Sequence, residues 1–104
     1  MKNIRRTDVY KKWFENLNDA RAKASIYARV IRLAQDNPGD WAPIGEGLFE
    51  LRIHYGPGYR VYYKDTGKEI VLLLCGGDKS TQDKDIARAK AIFKDYKLGN
   101  EKED

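Results

Sequence analysis

The sequence predicts an α+β fold, in which an N-terminal helical hairpin and a C-terminal helix pack on a small, mainly antiparallel sheet. Three observations carry this expectation. Apolar residues recur at helical spacing up to Leu33, alternate with polar ones from Phe49 to Lys64, and then run unbroken from Ile70 to Leu74. Helical periods followed by strand periods and a last helical period describe layers of helix on sheet. At 104 residues the chain is expected to be one domain, 1–104, with a flexible tail over 97–104.

Taken in order, Asn3 to Arg6 is short, with one aliphatic residue, and reads as a strand or a tail. Thr7 or Asp8 can cap a first helix, on which Tyr10, Trp13, Phe14 and Leu17 form an apolar stripe. Asn18 or Asp19 caps a second, with Ala22, Ile26, Val30 and Leu33 on one face, ending at the breaker run Asn37-Pro38-Gly39-Asp40. So short a link makes the two helices an antiparallel hairpin. Residues Trp41 to Gly47 read as a loop. Phe49, Leu51, Ile53 and Tyr55 then alternate with Glu50, Arg52 and His54, giving a strand with one apolar and one ionic face. The turn Gly56-Pro57-Gly58 folds it onto a second strand, Tyr59 to Lys64. After a turn over Asp65 to Lys68, the wholly apolar strand Ile70 to Cys75 has no solvent face and belongs inside the sheet. Gly76-Gly77-Asp78 is expected to stop that strand and open a third helix from Ser80, whose apolar face is Ile86, Ala89, Ile92 and Phe93.

Composition narrows the chemistry. Twenty Lys and Arg against 16 Asp and Glu give a net charge of +4, which suggests an anionic partner without identifying one. One cysteine and one histidine cannot make a tetrahedral zinc site, and no metal or cofactor is expected. No apolar run is long enough to span a membrane and none resembles a signal peptide, so the expected compartment is the cytoplasm. Cys75 reads as a buried strand-end residue. The fingerprints of phosphate and dinucleotide loops are absent.

The informative feature is the ionic face of the first hairpin. Antiparallel pairing brings Arg52 and His54 beside Arg60 and Tyr62. Two arginines side by side repel unless an anion or acidic partner meets them; alternatively, Glu50 pairs with one of them on a solvated face. Lys79 lies past the end of the central strand at a helix start, where backbone N–H groups can face an oxyanion. His54 is the candidate proton-transfer group near neutral pH. Tyr62, on the arginine side, could stack on a base.

Three blocks carry a resemblance to a known family: Phe49-Glu50-Leu51-Arg52-Ile53; Gly56-Pro57-Gly58-Tyr59-Arg60-Val61-Tyr62-Tyr63; and Leu72 to Gln82 with Asp85, Ile86 and Ala89. Together with Trp13, Leu17-Asn18-Asp19 and Gly39-Asp40, they resemble the phage-derived, HigB-like addiction-module killer group of the RelE/ParE toxin superfamily over about residues 4 to 96. The resemblance implies the RelE-like fold and the toxin of a type II toxin–antitoxin pair, a ribosome-dependent mRNA endoribonuclease. Arg60, Arg52 and Lys79 would surround the scissile phosphate, with His54 as acid or base and Tyr62, Lys64 and Gln82 along the RNA. The implied partners are mRNA on the ribosome and a cognate protein antitoxin of helix-turn-helix type, with operator DNA reached only through that antitoxin. The lysine pair and last-helix tyrosine of RelE itself are replaced here by Glu50 with Arg52 and by Asp85. The same superfamily also allows a ParE-like inhibitor that binds DNA gyrase without catalysis, or an inactivated toxin that keeps antitoxin binding.

Overall fold

The computed structural model describes residues 1–67 and 69–103, with 98–103 described by backbone alone. Its elements are β1 (Asn3–Arg6), α1 (Asp8–Glu15), α2 (Ala20–Ala34), β2 (Trp41–Gly45), β3 (Leu48–Ile53), β4 (Tyr59–Asp65), β5 (Ile70–Asp78), a short 3-10 turn (Lys79–Thr81) and α3 (Gln82–Glu103). The sheet order is β1-β5-β4-β3-β2, with β1 parallel to β5 and every other pair antiparallel. This is the expected α+β fold. Lys68 of the expected turn, and the side chains of the expected tail beyond Lys97, lie outside the described residues.

The sheet is the middle of three layers, because its strands bury both faces. On one side Leu51, Ile53, Val61, Tyr63, Val71 and Leu73 pack against Tyr10, Ile26, Val30 and Leu33 of the helical hairpin. On the other, Leu48, Tyr62, Leu72 and Leu74 meet Ala89, Ile86, Ile92 and Phe93 of α3. The apolar run of β5 is therefore covered twice, as its lack of a polar face requires. Thr7 caps α1 through the Tyr10 N–H and also donates to the Leu74 carbonyl at 2.6 Å, which seats the helix on β5. Asp19 caps α2 by accepting from the N–H groups of Arg21 and Ala22.

Two expectations are corrected and one open alternative is decided. Residues Trp41–Gly45 form an edge strand rather than a loop. Pro43 is tolerated there because an edge strand leaves one row of N–H positions unpaired, and Glu46 and Gly47, at φ 56° and 75°, turn the chain tightly into β3. The segment Asn3–Arg6 is a strand, in register with Ile70 to Leu73. Finally, β5 continues through Gly76-Gly77-Asp78 instead of stopping before them. A Cβ at Gly76 would lie 2.3 Å from the Trp13 ring, and one at Gly77 would lie within the Asp85 carboxylate. The two glycines therefore serve close packing on opposite faces of a continuing strand.

Candidate anion and RNA site

Alternation along β3 and β4 places Glu50, Arg52, Arg60 and Tyr62 on the face that α3 covers. Arg52 pairs directly with Arg60, and Arg60 in turn with Gly77 of β5, so two guanidinium groups and a side-chain-free gap lie in line across three strands. Two cations on directly opposed positions need a counter-charge, and Glu50 supplies it. This carboxylate is almost fully buried. It accepts from Arg52 Nε at 2.8 Å and from Gln82 Nε2 at 2.6 Å, and lies 3.8 Å from Arg60 Nε. The carboxylate also holds the Arg52 guanidinium pKa above its ordinary value.

Arg60 is the unusual member. It is only 8 % exposed, its Nε is buried without a hydrogen-bond partner, and the 3.8 Å approach to Glu50 is too long to be one. A buried guanidinium normally satisfies its donors, so Arg60 Nε, held only by the longer-range attraction of Glu50, is an exception within the site.

The surroundings arrange the rest. His54 lies just past the end of β3, with its ring exposed and Nε2 2.5 Å from Asp40 Oδ2. This contact holds the Asp40 carboxyl below the usual carboxylate range. With a carboxylate on Nε2, that nitrogen is the donor, which leaves Nδ1 as the ring's acceptor. Asp40 also lies 3.9 Å from Arg52 Nη1. Lys79 opens the 3-10 turn directly after Asp78, two residues beyond the glycine opposite Arg60, and its Cβ lies against Gly58 of the β3–β4 turn. Arg52, Arg60, Lys79 and His54 therefore gather at one end of the sheet, as the sequence suggested.

Three other expected contacts fall elsewhere. Tyr62 is fully buried beneath α3, its hydroxyl without a hydrogen-bond partner and its pKa raised by burial, so it cannot stack on a base. Its place in the alternation was read correctly, but that face proved to be the floor of α3. Lys64 lies roughly 13 Å from Arg60, four residues along β4. Its ammonium donates to the Gly47 carbonyl and lies over Phe93, away from the arginines. Gln82 reaches the site but is turned inward, its amide spent on Glu50. Glu50 is the arginine partner that one of the two sequence readings offered, Asp85 lies at the helix start the resemblance pointed to, and Asp40 is the acid the sequence did not place here. Asp85 is buried and accepts from Thr81 Oγ1 at 2.5 Å, against Gly77. Among the described residues no group of His, Cys, Asp and Glu could hold a metal ion. No helix among them is long and apolar enough to cross a membrane.

A sheet ordered in this way, with a helical hairpin on one face and the basic cluster beside α3 on the other, is the RelE-like fold. The structure superposes on a chain of the crystal structure of the toxin–antitoxin complex RelBE2 from Mycobacterium tuberculosis with a TM-score of 0.60, covering 75 % of this chain and 98 % of that one at 20 % identity. Residues 12–96 match the family described as phage derived protein Gp49-like (DUF891), and the chain belongs to that family, a RelE-like toxin family. It is also similar to an uncharacterized protein of Haemophilus influenzae Rd, 50 % identical over 95 residues that span 91 % of this chain and 96 % of that protein.

Proposed function

We propose that this protein is the toxin of a type II toxin–antitoxin pair and that it cleaves mRNA on the ribosome, with Arg60, Arg52, Lys79 and His54 as its working groups. The single observation that carries this reading is the Arg60 guanidinium, nearly buried, with its Nε lacking a hydrogen-bond partner and its strand position directly opposite Arg52. A phosphodiester offers anionic oxygens to two neighbouring cations, and a planar guanidinium binds such oxygens in bidentate fashion.

The chemistry follows from those positions. The 2′-oxygen of the substrate attacks its own 3′-phosphorus, the 2′-O–P bond forms and the P–O5′ bond breaks. The products are a 2′,3′-cyclic phosphate and a free 5′-hydroxyl. Negative charge grows on the non-bridging oxygens in the transition state, and Arg60 with Arg52 stabilises it from a partly desolvated seat. Lys79, exposed at the rim, steers the adjoining backbone. Two protons must move, one off the 2′-hydroxyl and one onto the 5′-oxygen, and Nδ1 of His54 is the group placed to exchange one of them while Asp40 holds Nε2. Glu50 is enclosed by Arg52 and Gln82, so it sets the arginine positions rather than taking a proton. A site this open benefits from a ribosome that fixes the in-line geometry of the message.

The partner implied is a cognate antitoxin encoded next to the toxin, in keeping with the toxin–antitoxin complex whose fold is shared. A helix-turn-helix antitoxin would bring operator DNA with it, and the site of action would be the cytoplasm. Expression of the wild type and of Arg60→Ala in growing cells tests the reading. Growth arrest with mRNA cut within codons, both lost in Arg60→Ala while antitoxin binding persists, is the expected outcome. Arrest with intact mRNA and stalled gyrase would replace the nuclease by a gyrase inhibitor.

A further inference from the structure

Arg29 belongs to none of the elements discussed at the site. It projects from α2, on the opposite face of the sheet from α3, and its guanidinium reaches the loop after that helix. Nη1 donates to the Arg52 carbonyl at 2.6 Å; Nη2 donates to the Pro38 carbonyl at 2.7 Å and to the Asp40 carbonyl at 3.2 Å. The Asp40 carbonyl also accepts from the Arg52 N–H at 3.0 Å. One side chain thus joins both ends of the path that leads from the α2–β2 loop to the end of β3.

Gly39 shows how tightly this is built. It sits at φ +74°, and a Cβ there would lie 3.0 Å from Arg29 Nη2. The loop therefore closes around the guanidinium, and only glycine fits both the backbone angle and the space. The Nε of Arg29 is buried without a partner, so its hydrogen bonding runs through the two terminal nitrogens, Nη1 to β3 and Nη2 to the loop. Asp40, the residue so gripped, contacts both His54 and Arg52 through its carboxylate.

We infer that Arg29 is a positioning residue: by clamping the carbonyls of Pro38, Asp40 and Arg52, it sets the Asp40 carboxylate that orients His54 and Arg52. This inference rests on the proposed nuclease reading for its activity effect, but the clamp itself can be tested without it. Arg29 does not touch the site from the α3 side and is not expected to meet substrate. It acts through Asp40, so its loss and the loss of Asp40 should not multiply.

The test uses the full chain as Arg29→Met, Arg29→Lys, Asp40→Ala and the Arg29→Met/Asp40→Ala double variant. Each is assayed for cleavage of mRNA on purified ribosomes and by NMR. His54 is the chain's one histidine, so its ring signal needs no sequential assignment. The expected result is that Arg29→Met lowers the cleavage rate by up to about 100-fold, the scale of a small misplacement of catalytic groups. Arg29→Lys, which keeps the charge and some donors, should recover part of that loss, and the double variant should be no slower than Asp40→Ala alone. In the NMR spectrum of Arg29→Met, the His54 ring signal and the Arg52 Nε–H signal should both shift, with the dispersion of the core retained. Should Arg29→Met fail to fold, the comparison of Arg29→Lys with the wild type decides by the same signals. Wild-type cleavage rates in the folded Arg29 variants, or multiplied losses in the double variant, overturn the inference. If the wild type itself cleaves no mRNA, the nuclease reading fails. The clamp then stands or falls on whether the His54 and Arg52 signals respond to the change at Arg29.

Discussion

Replacing Glu50 by glutamine removes the carboxylate that Arg52 and Arg60 share while keeping the side chain's shape. The carboxylate is 1 % exposed, 2.8 Å from Arg52 Nε and 3.8 Å from Arg60 Nε. At an effective dielectric of about 20, a pair of unit charges near 4 Å apart is worth roughly 4 kcal/mol. Removing one member of a buried pair costs about 3–5 kcal/mol, because the remaining charge stays desolvated. Arg52 is a little over one-third exposed, so water recovers much of its share, and Arg60 carries most of the effect. The net expectation is a loss of about 3 kcal/mol in Glu50→Gln, which for a domain of this size is a fall of roughly 12–20 °C in Tm. Urea unfolding at pH 7 measures it, with an unchanged slope showing that only the midpoint moves. The loss has a second signature, since an anion in the seat can take over the missing charge. Sulfate should therefore stabilise Glu50→Gln more than the wild type, beyond the general salting-out that both share. A loss below about 1 kcal/mol, or equal sulfate responses in the two proteins, would refute the assignment of Glu50 as the counter-charge of the site.

Other consequences follow from single contacts. Gly76→Ala places a Cβ against Trp13, and overpacking of this kind should cost about 1–3 kcal/mol by thermal unfolding; an unchanged Tm would show that Trp13 does not lie on β5. Burial pushes the Cys75 thiol up to about 12, so it should resist thiol reagents at pH 8 in the native protein and react at once in urea. The same shift has a definite sign in stability. Above the ordinary thiol value of 9.0 the unfolded chain loses its proton while the folded one keeps it, so stability falls as pH rises from there toward 12; Cys75→Ala should flatten that slope. In acid the Asp40 contribution, present above the ordinary carboxylate value, should fade as pH falls through its lowered folded value, and Asp40→Asn should remove that part of the acid transition.

Much of this was legible in the residues because it depends on local period. The stripes of α1 and α2, the alternation of β3 and β4 and the apolar run of β5 each announce their element. The edge strand β2 was not legible, since Pro43 reads as a breaker and only the pairing with β3 shows that its missing N–H costs nothing there. The gathering of Arg52, Arg60 and Lys79 could be read from hairpin register. The burial of Tyr62 and Glu50 could not, because it depends on which face α3 takes. Ile86, Ala89, Ile92 and Phe93 demanded an apolar partner, and Leu48 and Tyr62 on the otherwise ionic face were the available hint. Arg29 and Asp40 escaped for a different reason: their contacts join residues distant in sequence, which no periodicity reports. The net charge also changes meaning. Residues 1–35 hold nine Lys and Arg against three Asp and Glu, a balance of +6 within a chain of +4. The excess therefore sits on β1 and the helical hairpin, whereas the arginines of the site are partly neutralised by Glu50. What distinguishes the site is the buried Arg60, with its Nε unpaired, opposite Arg52, rather than bulk charge.

If Arg60 seats a phosphate that is cleaved, the products of the reaction must show it. Purified wild type and Arg60→Ala are incubated with ribosomes carrying a defined message, and the ends of the product RNA are mapped and their chemistry determined. The wild type should cut the ribosome-bound message, leaving a 2′,3′-cyclic phosphate and a 5′-hydroxyl, and a folded Arg60→Ala should lose those cuts. Equal cutting by both proteins, or an intact message with the wild type, would contradict it.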